Sequence, residues 1–238
     1  TPARGRLRRR RAKFAMNHES IDLEPLCVER VQVKEVLKAL IHSIIFQRAL
    51  GAPLYRDTES DLFDITYMRC DSHLIDSKVE ELAEAFSSGI DADAAADVRT
   101  TCCLSFFERR SSSAAFGWLR SEERVVWERW NIPLVVRRAE LPSALLGGGD
   151  AAAAAASAAD AERAARHNAL EATLRQQIEF VLSVASAKRE HIPPADGLGG
   201  DTIWFEISST SADAAWSGLD MMRQLLSSAS PPTVGGRK

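Results

Sequence analysis

Apolar residues recur at helical spacing through ERVQVKEVLKALIHSIIFQRAL (29–50), where Val33, Leu37, Leu40, Ile41, Ile44 and Ile45 form one wide stripe. That period predicts a helix buried along the stripe. Gly51 stops it and Pro53 forbids its continuation. Upstream, IDLEPLCV (21–28) reads as a short strand that Pro25 pushes towards a sheet edge. LFDITYMRC (62–70) alternates, with Phe63, Ile65 and Tyr67 on one face, and predicts a second strand. SHLIDSKVEELAEAFSS (72–88) places Leu74, Ile75, Val79, Leu82, Ala83 and Phe86 on an amphipathic helix.

Two β-rich runs follow, TCCLSFFER (101–109) and RVVWERWNIPLVVRR (124–138). They flank RSSSAAFGWLRSEE (110–123) and read as a long hairpin with an extended tip. Trp127 and Trp130, three apart on a strand, are expected on opposite faces, one in the core and one towards an interface or covering element. A low-complexity Gly/Ala insertion (about 143–160) leads into a long helix, roughly 158–190, packed through Leu170, Leu174, Ile178, Val181, Leu182 and Ala185. Pro193 and Pro194 end it. TIWFEIS (202–208) reads as a strand and ADAAWSGLDMMRQLL (212–226) as a final helix. The order β-α-β-α-β-β-α-β-α indicates an α+β fold: one domain, a largely antiparallel sheet packed against about three main helices.

Charge changes how the ends are read. The 238 residues carry 30 Lys+Arg and 33 Asp+Glu, a formal net charge of −3. Residues 1–15 alone hold Arg4, Arg6, Arg8, Arg9, Arg10, Arg11 and Lys13 and no acid. The rest therefore has 23 basic against 33 acidic residues, about −10. An acidic body is a poor phosphate surface, which disfavours nucleic-acid binding outside the leader. The arginine run fits a nuclear signal, a nucleic-acid arm or a transit peptide, or else a disordered basic extension (1–16) ahead of Met16, which fits an initiator. No stretch approaches the roughly 20 apolar residues that span a bilayer, so no integral membrane segment is expected. Cys27, Cys70, Cys102 and Cys103 lack metal-knuckle spacing and read as small buried thiols.

The usual catalytic motifs are missing from the sequence. The chain has no Walker-type phosphate loop, no GxGxxG between strand and helix, no GxSxG and no HExxH. GLGG (197–200) follows a double proline, opens no helix and reads as a turn. His18, His42, His73, His167 and His191 are scattered, and His42 reads as a satisfied or half-exposed core residue. Asp61 and Asp64 lack a third metal ligand, and Asp64 is expected on a solvated face or capping a turn. No enzyme activity, cofactor or metal is therefore expected. The hairpin tip is more informative. Phe116, Trp118 and Leu119 stand in a run otherwise made of Ser, Ala, Gly and Arg, where a loop has little reason to carry large aromatics. They either fold back onto the sheet or form an anchor for a partner.

VQVKEVLKALIHSIIFQR, DLFDITYMRC, SFFER, the aromatic tip and EERVVWERWNIPLVV, in that order, resemble the autophagy-related protein 101 family. The resemblance runs over roughly 17–140 and resumes over HNALEATLRQQIEFVLSVASAKREHIPP and FEISSTSADAAWSGLDMMRQLL. WERW and the DxxDxTY strand are its more specific pieces. It implies a single HORMA domain (17–228, followed by a tail, 229–238) and a non-enzymatic adaptor of the autophagy initiation kinase complex. It further implies binding and stabilisation of the HORMA domain of autophagy-related protein 13, in a cytoplasmic heterodimer recruited to the phagophore assembly site. Family members recruit downstream autophagy factors through a Trp-Phe finger at the hairpin tip; here the matching positions read Phe116-Gly117-Trp118, in changed order with a glycine between. The competing reading is a checkpoint or chromatin-type HORMA protein, or a nucleic-acid-associated protein, using the N-terminal arginines. A third is an enzyme imported into an organelle.

Overall fold

The computed structural model describes residues 18–49, 54–90, 96–113, 120–138, 150–193 and 204–211. The arginine leader, residues 141–149, GLGG, the 212–226 helix and the terminal tail lie outside the described residues. The elements are β1 (Glu19–Asp22), β2 (Leu26–Val28), α1 (Arg30–Arg48), β3 (Tyr55–Glu59), β4 (Thr66–Cys70), α2 (His73–Ser88), β5 (Val98–Ser113), β6 (Arg120–Val136), α3 (Asp150–Ala187) and β7 (Phe205–Ser211). Among the described residues this is an α+β arrangement of three helices with a mixed five-stranded sheet and a separate two-stranded one, consistent with a single HORMA-like domain.

The sheet is built on β6. β5 pairs with it antiparallel, β7 continues antiparallel on the far side of β5, and β1 and β2 both add parallel to β6. The expected single strand at 21–28 is thus two short ones. Pro25 has no N–H to give the ladder, and the chain leaves the sheet around it before resuming at Leu26.

All six stripe residues expected of α1 are fully buried, and Val36 and Ala39 join them. The Glu29 N–H donates to Gln32 Oε1 at 2.8 Å, which satisfies one of the donors that the first turn leaves without a partner. α1 packs against α2, α3 and β4. Phe63, Ile65 and Tyr67 are buried as the alternation predicts, but 61–64 is a bend and the strand starts at Thr66. Its partner β3 has the sequence YRDTE, almost wholly exposed and without apolar alternation, so periodicity gave no sign of it. On α2, Val79 and Ala83 are buried and Ile75 and Phe86 partly so. Leu74, expected on that face, is 82% exposed in the first turn.

α3 begins at Asp150 rather than near 158, so the alanine run is part of the helix. Its 38 residues correspond to about 57 Å of helix. Leu170, Leu174, Ile178, Val181 and Ala185 are buried, whereas Leu182, expected among them, is 39% exposed. Positions 174, 178, 181 and 185 advance by four, three and four and hold one line on the helix; 182 falls beside it. Of the cysteines, Cys70, Cys102 and Cys103 are buried and Cys27 is exposed on β2, a correction to the expectation that all four are buried.

Candidate partner-binding arm

Sixteen residues of β5 and seventeen of β6 form the hairpin, paired out to Ser113 opposite Arg120. The turn that carries Phe116, Trp118 and Leu119 lies outside the described residues. What the structure describes is the stem. Its register slips between Phe106, opposite Glu128, and Phe107, opposite Val126, so Trp127 is an extra residue on β6. Such a bulge bends its strand and increases the local twist. The seven pairs beyond it, Phe107–Ser113 with Arg120–Val126, form an arm about 20 Å long.

The bulge also revises the reading of the tryptophans. Both are buried, Trp127 at 5% and Trp130 at 0% exposure. Trp130 follows the regular alternation inward. Trp127, displaced by the slip, stacks on core Phe106 at 5.3 Å and lies 5.9 Å from the His191 ring. Strict alternation does not hold across an inserted residue, and this is why the opposite-face expectation fails here.

Between the two tryptophans sits Glu128, wholly buried. Its carboxylate accepts the Nε–H of Arg48 at 2.8 and 2.9 Å and the indole N–H of Trp130, and His191 Nε2 lies 2.5 Å from Oε2. Arg48, also buried, donates further to the Ala185 carbonyl at 2.9 Å and the Lys188 carbonyl at 3.2 Å. A cation from the end of α1 therefore caps the carbonyls at the end of α3, where the helix dipole favours positive charge. One carboxylate joins β6, α1 and the end of α3. No search for short motifs finds this group, because Arg48 and Glu128 are 80 residues apart in the chain.

The outer side of the arm's root carries a different layer. The Arg109 guanidinium lies 3.7 Å from the Trp204 ring centroid, and that of Arg124 lies 5.1 Å from Phe107. Arg109 and Arg124 are directly opposite across the strands, a repulsive pairing that the two aromatic rings and the Arg124–Glu206 ion pair at 3.3 Å offset. On the helix side, Lys78 of α2 donates to the Phe205 carbonyl at 2.5 Å and sits over that ring, tying β7 to α2.

His42 is 2% exposed, stacked near Tyr67, with Nδ1 unpartnered among the described residues. Burial, helped by the nearby Lys38 charge, pulls its pKa down to about 4. It is more deeply enclosed than the satisfied or half-exposed residue expected. The Asp64 N–H donates to Glu171 and its carbonyl accepts from Arg175, which fastens the 61–64 bend to α3. Among the described residues no three His, Cys, Asp or Glu side chains gather as a metal site, and no helix is long and apolar enough to cross a membrane.

A family model described as Autophagy-related protein 101 matches residues 25–197. Autophagy-related protein 101 of Arabidopsis thaliana is 31% identical over 222 residues, covering 92% of this chain and 100% of its own length. The Homo sapiens protein of that name is 26% identical over 134 residues, 51% of this chain and 59% of its own. That of Xenopus laevis is 27% identical over the same extent.

Proposed function

Because the chain belongs to the autophagy-related protein 101 family, with the role in autophagy that this membership supports, we propose that it works as a non-enzymatic adaptor in autophagy initiation. Its arm presents Phe116, Trp118 and Leu119 to downstream autophagy factors, and its body binds and stabilises the HORMA domain of autophagy-related protein 13. It acts in the cytoplasm and is recruited to the phagophore assembly site. The supporting observation is the stem. A hairpin paired out to Ser113 and Arg120 and braced on both faces at its root is a rigid mount for the segment that carries Phe116, Trp118 and Leu119. Rigid presentation lowers the ordering cost of binding, and Trp is the residue most enriched among binding hot spots.

Phe116→Ala combined with Trp118→Ala tests the tip. The variant keeps the wild-type melting temperature and loses about 2 kcal/mol or more of affinity for the recruited factors, roughly 30-fold. Unfolding of the variant, or undiminished autophagosome formation in cells carrying it, defeats the assignment. A pull-down at micromolar concentration tests the heterodimer, and no association with the partner HORMA domain counts against it.

A further inference from the structure

Three observations meet at the root of the arm. The register slips at Trp127, a bulge that bends β6 just where the arm leaves the sheet. The next residue is Glu128, whose carboxylate is held by Arg48, Trp130 and His191. The bulged Trp127 is itself wedged between Phe106 and His191. Arg48, Trp130, His191 and Phe106 thus each contact either the bulged residue or the one beside it.

We propose that the Arg48–Glu128–His191 group is the positioning device for the arm, setting the direction in which the paired β5–β6 stem leaves the sheet. A buried carboxylate with three donors cannot shift without leaving a donor unsatisfied, so it admits one bulge geometry. Arg48 and His191 attach to α1 and to the end of α3, so the arm's direction is referenced to the helical layer. The outer layer of Arg109, Trp204, Arg124 and Phe107 resists bending towards the other face. Glu128 is accordingly a positioning residue that touches no partner. This rests on the reading of the tip as a recruiting element only for its biological meaning; the geometry of the arm is measurable by itself.

The test places spin labels at Ser112, on the arm, and Glu179, on α3, in the full chain carrying Cys27→Ser, and measures their distance distribution by pulsed electron resonance. The unaltered group gives one narrow distribution. Glu128→Gln keeps the shape of the side chain and removes its charge; in a folded protein it broadens or splits the distribution about two-fold. His191→Ala, at the edge of the cluster, broadens it in the same direction and serves where Glu128→Gln does not fold. Val79→Ala, which loosens α2 packing away from the bulge, lowers the melting temperature and leaves the distribution narrow. A folded Glu128→Gln or His191→Ala protein with the wild-type distribution overturns the proposal, as does equal broadening by Val79→Ala. Loss of factor binding in the Phe116/Trp118 variant is scored separately, so failure of the tip reading leaves the distance result intact.

Discussion

Glu128 and His42 are both polar residues in the core, and their opposite circumstances predict opposite behaviour. Glu128 is fully partnered, so removing it strands its neighbours. Glu128→Ala leaves the buried Arg48 charge uncompensated and costs about 3–5 kcal/mol in urea unfolding. Adding Arg48→Met to it recovers much of the loss, since the stranded charge goes too. His42 is stable only as the neutral ring. Its folded pKa of about 4 lies below the unfolded value of about 6.5. Between those values the unfolded chain binds a proton that the folded one refuses. Its stability contribution is therefore complete above about pH 6.5 and lost as pH falls towards 4, by roughly 3 kcal/mol in all. His42→Leu flattens that part of the profile in urea titrations from pH 7 to 4. The sequence shows where His42 stands on its helix but not that 98% of it is enclosed, because the enclosing Tyr67 lies on strand β4.

Elements with a strong apolar period were legible from the sequence; those without one were not. The α1 stripe, the β5–β6 hairpin and the α3 core face were read from spacing alone, since burial on one side leaves a periodic imprint. β3 has no buried face and left none, and the start of α3 is set by alanine propensity, which has no period. Leu174 and Leu182 separate the two kinds of signal. Leu174→Ala, at 0% exposure, costs about 2–5 kcal/mol in chemical denaturation. Leu182→Ala, on the half-open flank of the same helix, stays within about 1 kcal/mol. Equal losses at the two sites contradict the packing described for α3. The candidate site divides in the same way. Its aromatic tip is visible in the sequence as a compositional anomaly, whereas the bulge and the group on Glu128 arise from residues that meet only on folding.

On the scale of the whole molecule, the charge map sets the basic leader apart from an acidic remainder. If residues 1–15 serve neither the fold nor partner binding, their deletion leaves the melting temperature and heterodimer formation unchanged. Any affinity for nucleic acid, with its steep salt dependence, disappears with them. The sheet topology carries a consequence of another kind, for synthesis. β1 and β2 are made early, yet both need β6, whose paired residues lie 108 or more positions later: Leu26 waits for Leu134, and Glu19 for Glu128. At about 5–20 residues per second that is roughly 5–20 s on the ribosome, during which α1 has only β4 and α2 of its covering elements and β1 and β2 have no strand to pair with. The burial partners of α1 on α3 arrive later still. A nascent chain of this topology is a natural client for chaperones, and β1 and β2 stay unpaired until the hairpin has been made.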